Sequence, residues 1–253
     1  MPDVKFSQLA AASAASVAAG AGLWTMAGHI LGLQMEYVGP ASIRVSSGSA
    51  WIPSLQRAVE VQSALTLSGL SLTANTWYHV FLYMNGAVPA IEAVIAVPAA
   101  PYSGTARAKT GDTTRRYIGS FRTNAAGAIF NFAQTGTTIA YKNAQANPPF
   151  RVLSQGTATS ETSISLAAVV PSTSRLATVQ IYNFTDTNMG TGTSDDSAVG
   201  PPSQPNDAVY LVRRDSTAMV PHPLDSSQTM TYWLTTTPVG SAYVDVFGYV
   251  YER

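Results

Sequence analysis

From Leu33 onward the apolar residues recur at every second position in short runs, separated by Gly, Pro, Asn and Ser-Gly breaks. That is the pattern of antiparallel strands with one buried face, and no strong amphipathic helix interrupts it. Leu33 to Val38 alternates, Gly39-Pro40 breaks the run, and Ile43-Arg44-Val45 resumes it before Ser47-Gly48, which predicts strand, turn, strand. Val59-Glu60-Val61 and Leu65-Thr66-Leu67 continue the series. Trp77 to Met84, rich in aromatic and branched residues, is the strongest strand candidate. Asn85-Gly86 behind it favours positive φ and a tight hairpin, with Ile91 to Val97 as the return strand. Arg115 to Arg122 and Ala128 to Phe132, joined by Asn124-Ala125-Ala126-Gly127, predict a second hairpin.

Asn143 to Pro149 reads Asn-Ala-Gln-Ala-Asn-Pro-Pro, which disfavours helix and sheet alike and marks a boundary. Beyond it, Phe150 to Leu153, Thr162 to Val170, Ala177 to Phe184, Ala208 to Arg213, Met230 to Thr235 and Ala242 to Tyr251 are six further strand candidates. Pro171, the stretch Thr185 to Asn206 and Pro221-His222-Pro223 fall between them and read as loops, the longest with no structure of its own. The expected fold is therefore mainly β. It has two antiparallel, sandwich or jelly-roll-like domains over residues 33–142 and 150–253, a linker over 143–149 and a short N-terminal arm over 1–32.

Composition narrows the functions open to such a fold. Only 11% of residues are charged, and 14 basic residues balance 14 acidic ones, so no net field draws the chain to nucleic acid. A weakly charged, hydroxyl-rich surface suits a protein packed against copies of itself, and equally an extracellular β domain. There is no cysteine, which removes disulfides, thiolate metal sites and a cysteine nucleophile, and leaves oligomerisation as the natural staple. Gln8 to Leu33 is the one apolar stretch that invites a membrane or signal reading. Its Ala, Ser and Gly content, and an apolar part that comes late, argue against both, so synthesis and assembly in the cytoplasm are expected. The small-residue run Ala10 to Ala21 admits a close-packing anchor or an untied arm. Val4, Phe6 and Leu9 are the candidate attachment residues of that arm.

Catalytic signals are missing. The only histidines, His29, His79 and His222, are widely spaced with no HExxH-like pair; His79 reads as a strand histidine satisfied by a neighbour or solvent, and His222 as an exposed loop residue. No GxSxG elbow, phosphate-binding glycine loop or pair of positioned carboxylates appears, since the adjacent acids Asp195-Asp196 lie in a loop. Asp186 to Gly192 offers oxygen ligands in alternation but puts Thr191 where a calcium loop needs glycine, and no glutamate follows. Asn183-Phe184-Thr185 matches a glycosylation sequon without a secretory context. No enzyme activity, metal or cofactor is expected.

At Trp77 to Tyr83, at Arg116 to Gly127 and at Pro149 to Leu153 the chain resembles tailed-bacteriophage virion proteins of the tail-fibre, head-fibre or collar type. The likeness covers roughly residues 33–153 and carries no catalytic residue. It implies an oligomeric appendage, trimeric by preference, joined to other virion proteins through its N-terminus and ending in a distal β domain. Such a domain would contact a host-surface glycan or protein, and Tyr232, Trp233, Tyr243 and the loop acids Asp195 and Asp196 are the candidate contacts. An architectural role in a capsid decoration, collar or baseplate is the alternative, and a polysaccharide-degrading enzyme a more distant one.

Overall fold

A computed structural model of the chain describes residues 26–143, 146–195 and 208–253. The attachment arm with Val4, Phe6 and Leu9, the run Ala10 to Ala21, and Asp196 lie outside the described residues. The chain starts with β1 (Ile30–Gly32), β2 (Met35–Gly39), β3 (Ser42–Val45), β4 (Gly48–Ile52), a 3-10 turn at Pro53–Leu55, β5 (Arg57–Val61) and β6 (Leu65–Leu67). These build two three-stranded sheets, β1-β4-β5 and β2-β3-β6. β7 (Trp77–Asn85), β8 (Val88–Val94), β9 (Ala108–Lys109) and β10 (Asp112–Arg122) form a third, ordered β8-β7-β10-β9. The β7–β8 hairpin turns through Gly86, whose φ of 63° is the conformation that glycine supplies without strain.

The remaining strands are β11 (Phe132–Thr135), β12 (Thr138–Tyr141), β13 (Arg151–Gly156), β14 (Thr162–Ser165), β15 (Ser174–Thr185), β16 (Met189–Gly192), β17 (Tyr210–Val212), β18 (Ser216–Pro223), β19 (Thr229–Leu234) and β20 (Gly240–Tyr251). They form the largest sheet, β11-β12-β20-β15-β18 with β13 also on β20, and a four-stranded sheet β14-β19-β16-β17. Every strand pairing is antiparallel. The mainly-β expectation is met, in several sheets packed sandwich-fashion.

In β15 the odd positions Ala177, Val179, Ile181 and Asn183 are buried while Thr178, Gln180, Tyr182 and Phe184 face outward. The partner β20 keeps its apolar residues inward despite its length because the register shifts at Phe247. Val244 and Val246 point in before the bulge, Tyr249 and Tyr251 after it. Those two tyrosines tie the C-terminal sheets to the N-terminal ones. Tyr249 Oη donates to Ser120 O at 2.9 Å, Tyr251 Oη donates to Ile118 O at 3.1 Å, and Tyr117 Oη lies 2.9 Å from Thr173 Oγ1. Burial pushes the Tyr251 phenol up to about 12 and raises Tyr117 and Tyr249 as well, so all three stay neutral hydrogen-bonding groups at neutral pH.

Four expectations need correction. The stretch 143–149 does not separate two sheets, because β12 before it pairs with β20 after it, Ile139 opposite Tyr249. The buried apolar residues form one continuous cluster across that boundary, and Phe150 is wedged 4.8 Å from both the Phe130 and Tyr141 rings. Thr185 to Asn206 is not structureless, since β16 crosses its first half. Pro221-His222-Pro223 is strand, not loop: β18 is the edge of the largest sheet, and proline is tolerated in a strand where the missing N–H would face away from the sheet. The second predicted hairpin is reduced to a single bridge, Thr123 to Ile129, before β11 departs for the largest sheet.

Candidate functional site: the aromatic face of the largest sheet

Strand register places side chains of the largest sheet in rows across its outer face. One row runs Arg151, Asp245, Gln180, Met219 over β13, β20, β15 and β18. The next holds Tyr243, Tyr182 and Thr217, and the third Ser241 and Phe184. Rows on one face lie about 7 Å apart and strands about 4.8 Å apart, so these residues form a platform. Tyr182 and Phe184 have ring centroids 5.7 Å apart, and Phe184 and Tyr243 lie at 6.3 Å. Phe184 remains 53% exposed and Met219 55%, high for large apolar side chains within strands.

Arg151 forms the polar margin. Its Nε and Nη2 each donate to a different oxygen of Asp245 at 2.8 Å, and the guanidinium lies over the Tyr243 ring, 4.8 Å from its centroid. The carboxylate is 1% exposed beneath it. This bidentate pair raises the Arg151 pKa, chiefly through the hydrogen bond, and leaves the row without net charge. Nη1 of Arg151, the Gln180 amide and the phenol groups of Tyr182 and Tyr243 make no hydrogen bond within the described residues. The platform therefore offers ring faces for stacking and a margin of donors and acceptors for hydroxyl groups.

Of the residues singled out in the sequence, Tyr243 sits on this platform. Tyr232 and Trp233 do not present exposed rings: they are 4% and 0% exposed, because both faces of β19 are covered. Tyr232 points into the core, where its hydroxyl accepts from Ala158 N, and Trp233 packs on Gly190. Asp195 is exposed and apart from these rows. Tyr182 and Phe184 were missed, although the alternation from Ala177 to Phe184 puts them on the same side as Thr178 and Gln180.

The other chemistry-bearing groups are engaged within the fold. His79 is 3% exposed with Nδ1 2.7 Å from Ser120 Oγ, and burial pulls its pKa down to about 4. His222 is fully buried, contrary to its reading as a loop residue, with Nε2 3.1 Å from Thr191 Oγ1. Asn183 is buried too, its amide donating to the carbonyls of Thr187, Val212 and Arg213, so the sequon is sealed inside the fold. His29 Nε2 lies 2.7 Å from Ser49 Oγ beside a hollow of about 480 Å³ that Glu60 also lines. Among the described residues no carboxylate bonds to His29, and the pair lacks the orienting acid of a nucleophile–base relay. No group of three or more histidine and acidic residues able to hold a metal occurs among the described residues, and no helix there is long and apolar enough to cross a membrane.

No protein-family model matches the chain, and no curated protein matches it significantly.

Proposed function

We propose that this protein is a structural component of a bacteriophage virion, a short fibre or fibre adapter, that contacts the host surface without chemistry of its own. The observation that carries the contact is the half-exposed platform of Tyr182, Phe184 and Tyr243, held by the continuous ladder of β15 and β20. Aromatic rings fixed on a rigid sheet lose little entropy on binding, which is why such surfaces recur in recognition. The virion assignment rests on the resemblance at Trp77 to Tyr83, Arg116 to Gly127 and Pro149 to Leu153.

A homo-oligomer, trimeric by preference, built also on contacts with other virion proteins, accounts for the large apolar side chains exposed in the N-terminal half. Leu31 is 68% exposed and Val88 65%; they border two hollows that share Glu60, Val61 and Gln62. Immunogold labelling of virions with antibodies to the purified protein tests the assignment. Label at a fibre or tail tip is the expected result, label over the capsid or neck would favour the architectural reading, and unlabelled particles would refute both.

A further inference from the structure

We infer that the platform takes a neutral glycan of hexopyranose units, one sugar face against Phe184 and others against Tyr182 and Tyr243, whose rings are tilted 43° and 57° from that of Phe184, with hydroxyls of the chain toward Arg151 and Gln180. This rests on the host-contact reading and adds the chemical class of the ligand.

The charge of the face decides against an acidic glycan. Arg151 is its only cation, and Asp245 neutralises it through two 2.8 Å hydrogen bonds. The other residues of the three rows, Gln180, Met219, Tyr243, Tyr182, Thr217, Ser241 and Phe184, are uncharged. Beyond the Phe184 end, where Asp186 N and Asp215 N bond to Val239 O and Thr185 O, the exposed acids Asp186 and Asp215 equal in number the exposed Arg213 and Arg214, so the net charge there is zero too. Within the three rows a carboxylated or sulfated sugar would find no cation but the already paired Arg151, and would lose its hydration for little in return.

The polar margin decides against a purely apolar partner. Arg151 Nη1 has two N–H donors outside its carboxylate pairing, and the Gln180 amide offers one donor group and one acceptor in the same row. Neighbouring hydroxyls of a pyranose present matching groups at its rim while its C–H face is apolar. Fixed by Asp245 and by stacking on Tyr243, the guanidinium is held in place before any ligand arrives.

The test is binding of the purified full-length protein to neutral polysaccharides (dextran, galactan, mannan) and to acidic ones (polygalacturonate, polysialic acid), by titration calorimetry at 50 and 500 mM salt. The expected result is binding to at least one neutral polysaccharide, with a dissociation constant that changes less than twofold with salt. Phe184→Ala and Tyr243→Ala should each weaken it at least tenfold while leaving the circular-dichroism spectrum intact. Binding only to acidic polysaccharides would overturn the inference and leave the host-contact reading standing. So would platform-dependent binding to host cells without binding to any polysaccharide, which would assign a protein receptor. Neutral-sugar binding that survives both substitutions would overturn the placement on this face. Self-association abolished by Phe184→Glu, with no binding to sugar or cells, would overturn inference and reading together in favour of a subunit interface.

Discussion

Acid should destabilise this protein before its carboxylates are protonated, and His79 supplies the reason. The imidazole is 3% exposed on β7, and burial lowers its pKa from 6.5 to about 4. Between those values the unfolded chain binds a proton that the folded protein refuses, so stability falls as pH falls from about 6.5 towards 4. At 1.36 kcal/mol per pH unit of differential protonation, His79 removes about 2 kcal/mol by pH 5 and about 3 kcal/mol by pH 4, relative to pH 7. His222 acts in the same direction, its pKa lowered by burial against a smaller opposing effect from Pro223 O. Asp112, held low chiefly by the Thr114 hydroxyl, titrates below this window. Urea unfolding at pH 7, 6 and 5 measures the loss, and His79→Gln should flatten much of it while keeping a partner for Ser120. Equal stability at pH 7 and 5, or the same pH slope in His79→Gln, would refute the reasoning.

Substitutions at three positions test the packing that supports the platform. A methyl group at Gly190 would stand 2.4 Å from Trp233 Cε2, so Gly190→Ala should cost about 1–3 kcal/mol by overpacking; an unchanged melting temperature would show that the indole has room to move. Asn183→Ala removes the donor shared by the carbonyls of Thr187, Val212 and Arg213, of which Thr187 O keeps Thr185 Oγ1 and Arg213 O keeps Ser216 Oγ, and should cost about 1–3 kcal/mol in chemical unfolding. Asn183→Asp should be worse, because it sets a carboxylate against the same three oxygens. Tyr249→Phe removes the bond to Ser120 O but keeps the ring packed, and a loss of about 1 kcal/mol in thermal unfolding is expected.

Strand positions were legible wherever one face is buried and the other wet, as in β15, because burial imposes the two-residue period directly on the sequence. β18 was illegible because its prolines look like breakers until the edge position that tolerates them is known. β16 reads Met-Gly-Thr-Gly, with no periodic side chains, and Gly190 is there because Trp233 fills the space a side chain would need. The division at 143–149 failed for a different reason. Local punctuation shows where strands end, and Pro148-Pro149 does so; which strand pairs with which, as β12 does with β20, depends on distant residues. The platform was half legible. Tyr243 was singled out as an aromatic in a late strand, whereas Tyr232 and Trp233, chosen on the same ground, lie in a strand covered on both faces. The period of β15 contained the signal for Tyr182 and Phe184.

The claim that the aromatic face meets the host surface is tested most directly by binding fluorescently labelled protein to host cells, beside the triple substitution Tyr182→Ala, Phe184→Ala, Tyr243→Ala. The account predicts saturable binding that competes with virion adsorption and is lost in a triple variant with unchanged circular dichroism. Undiminished cell binding by that folded variant would contradict it.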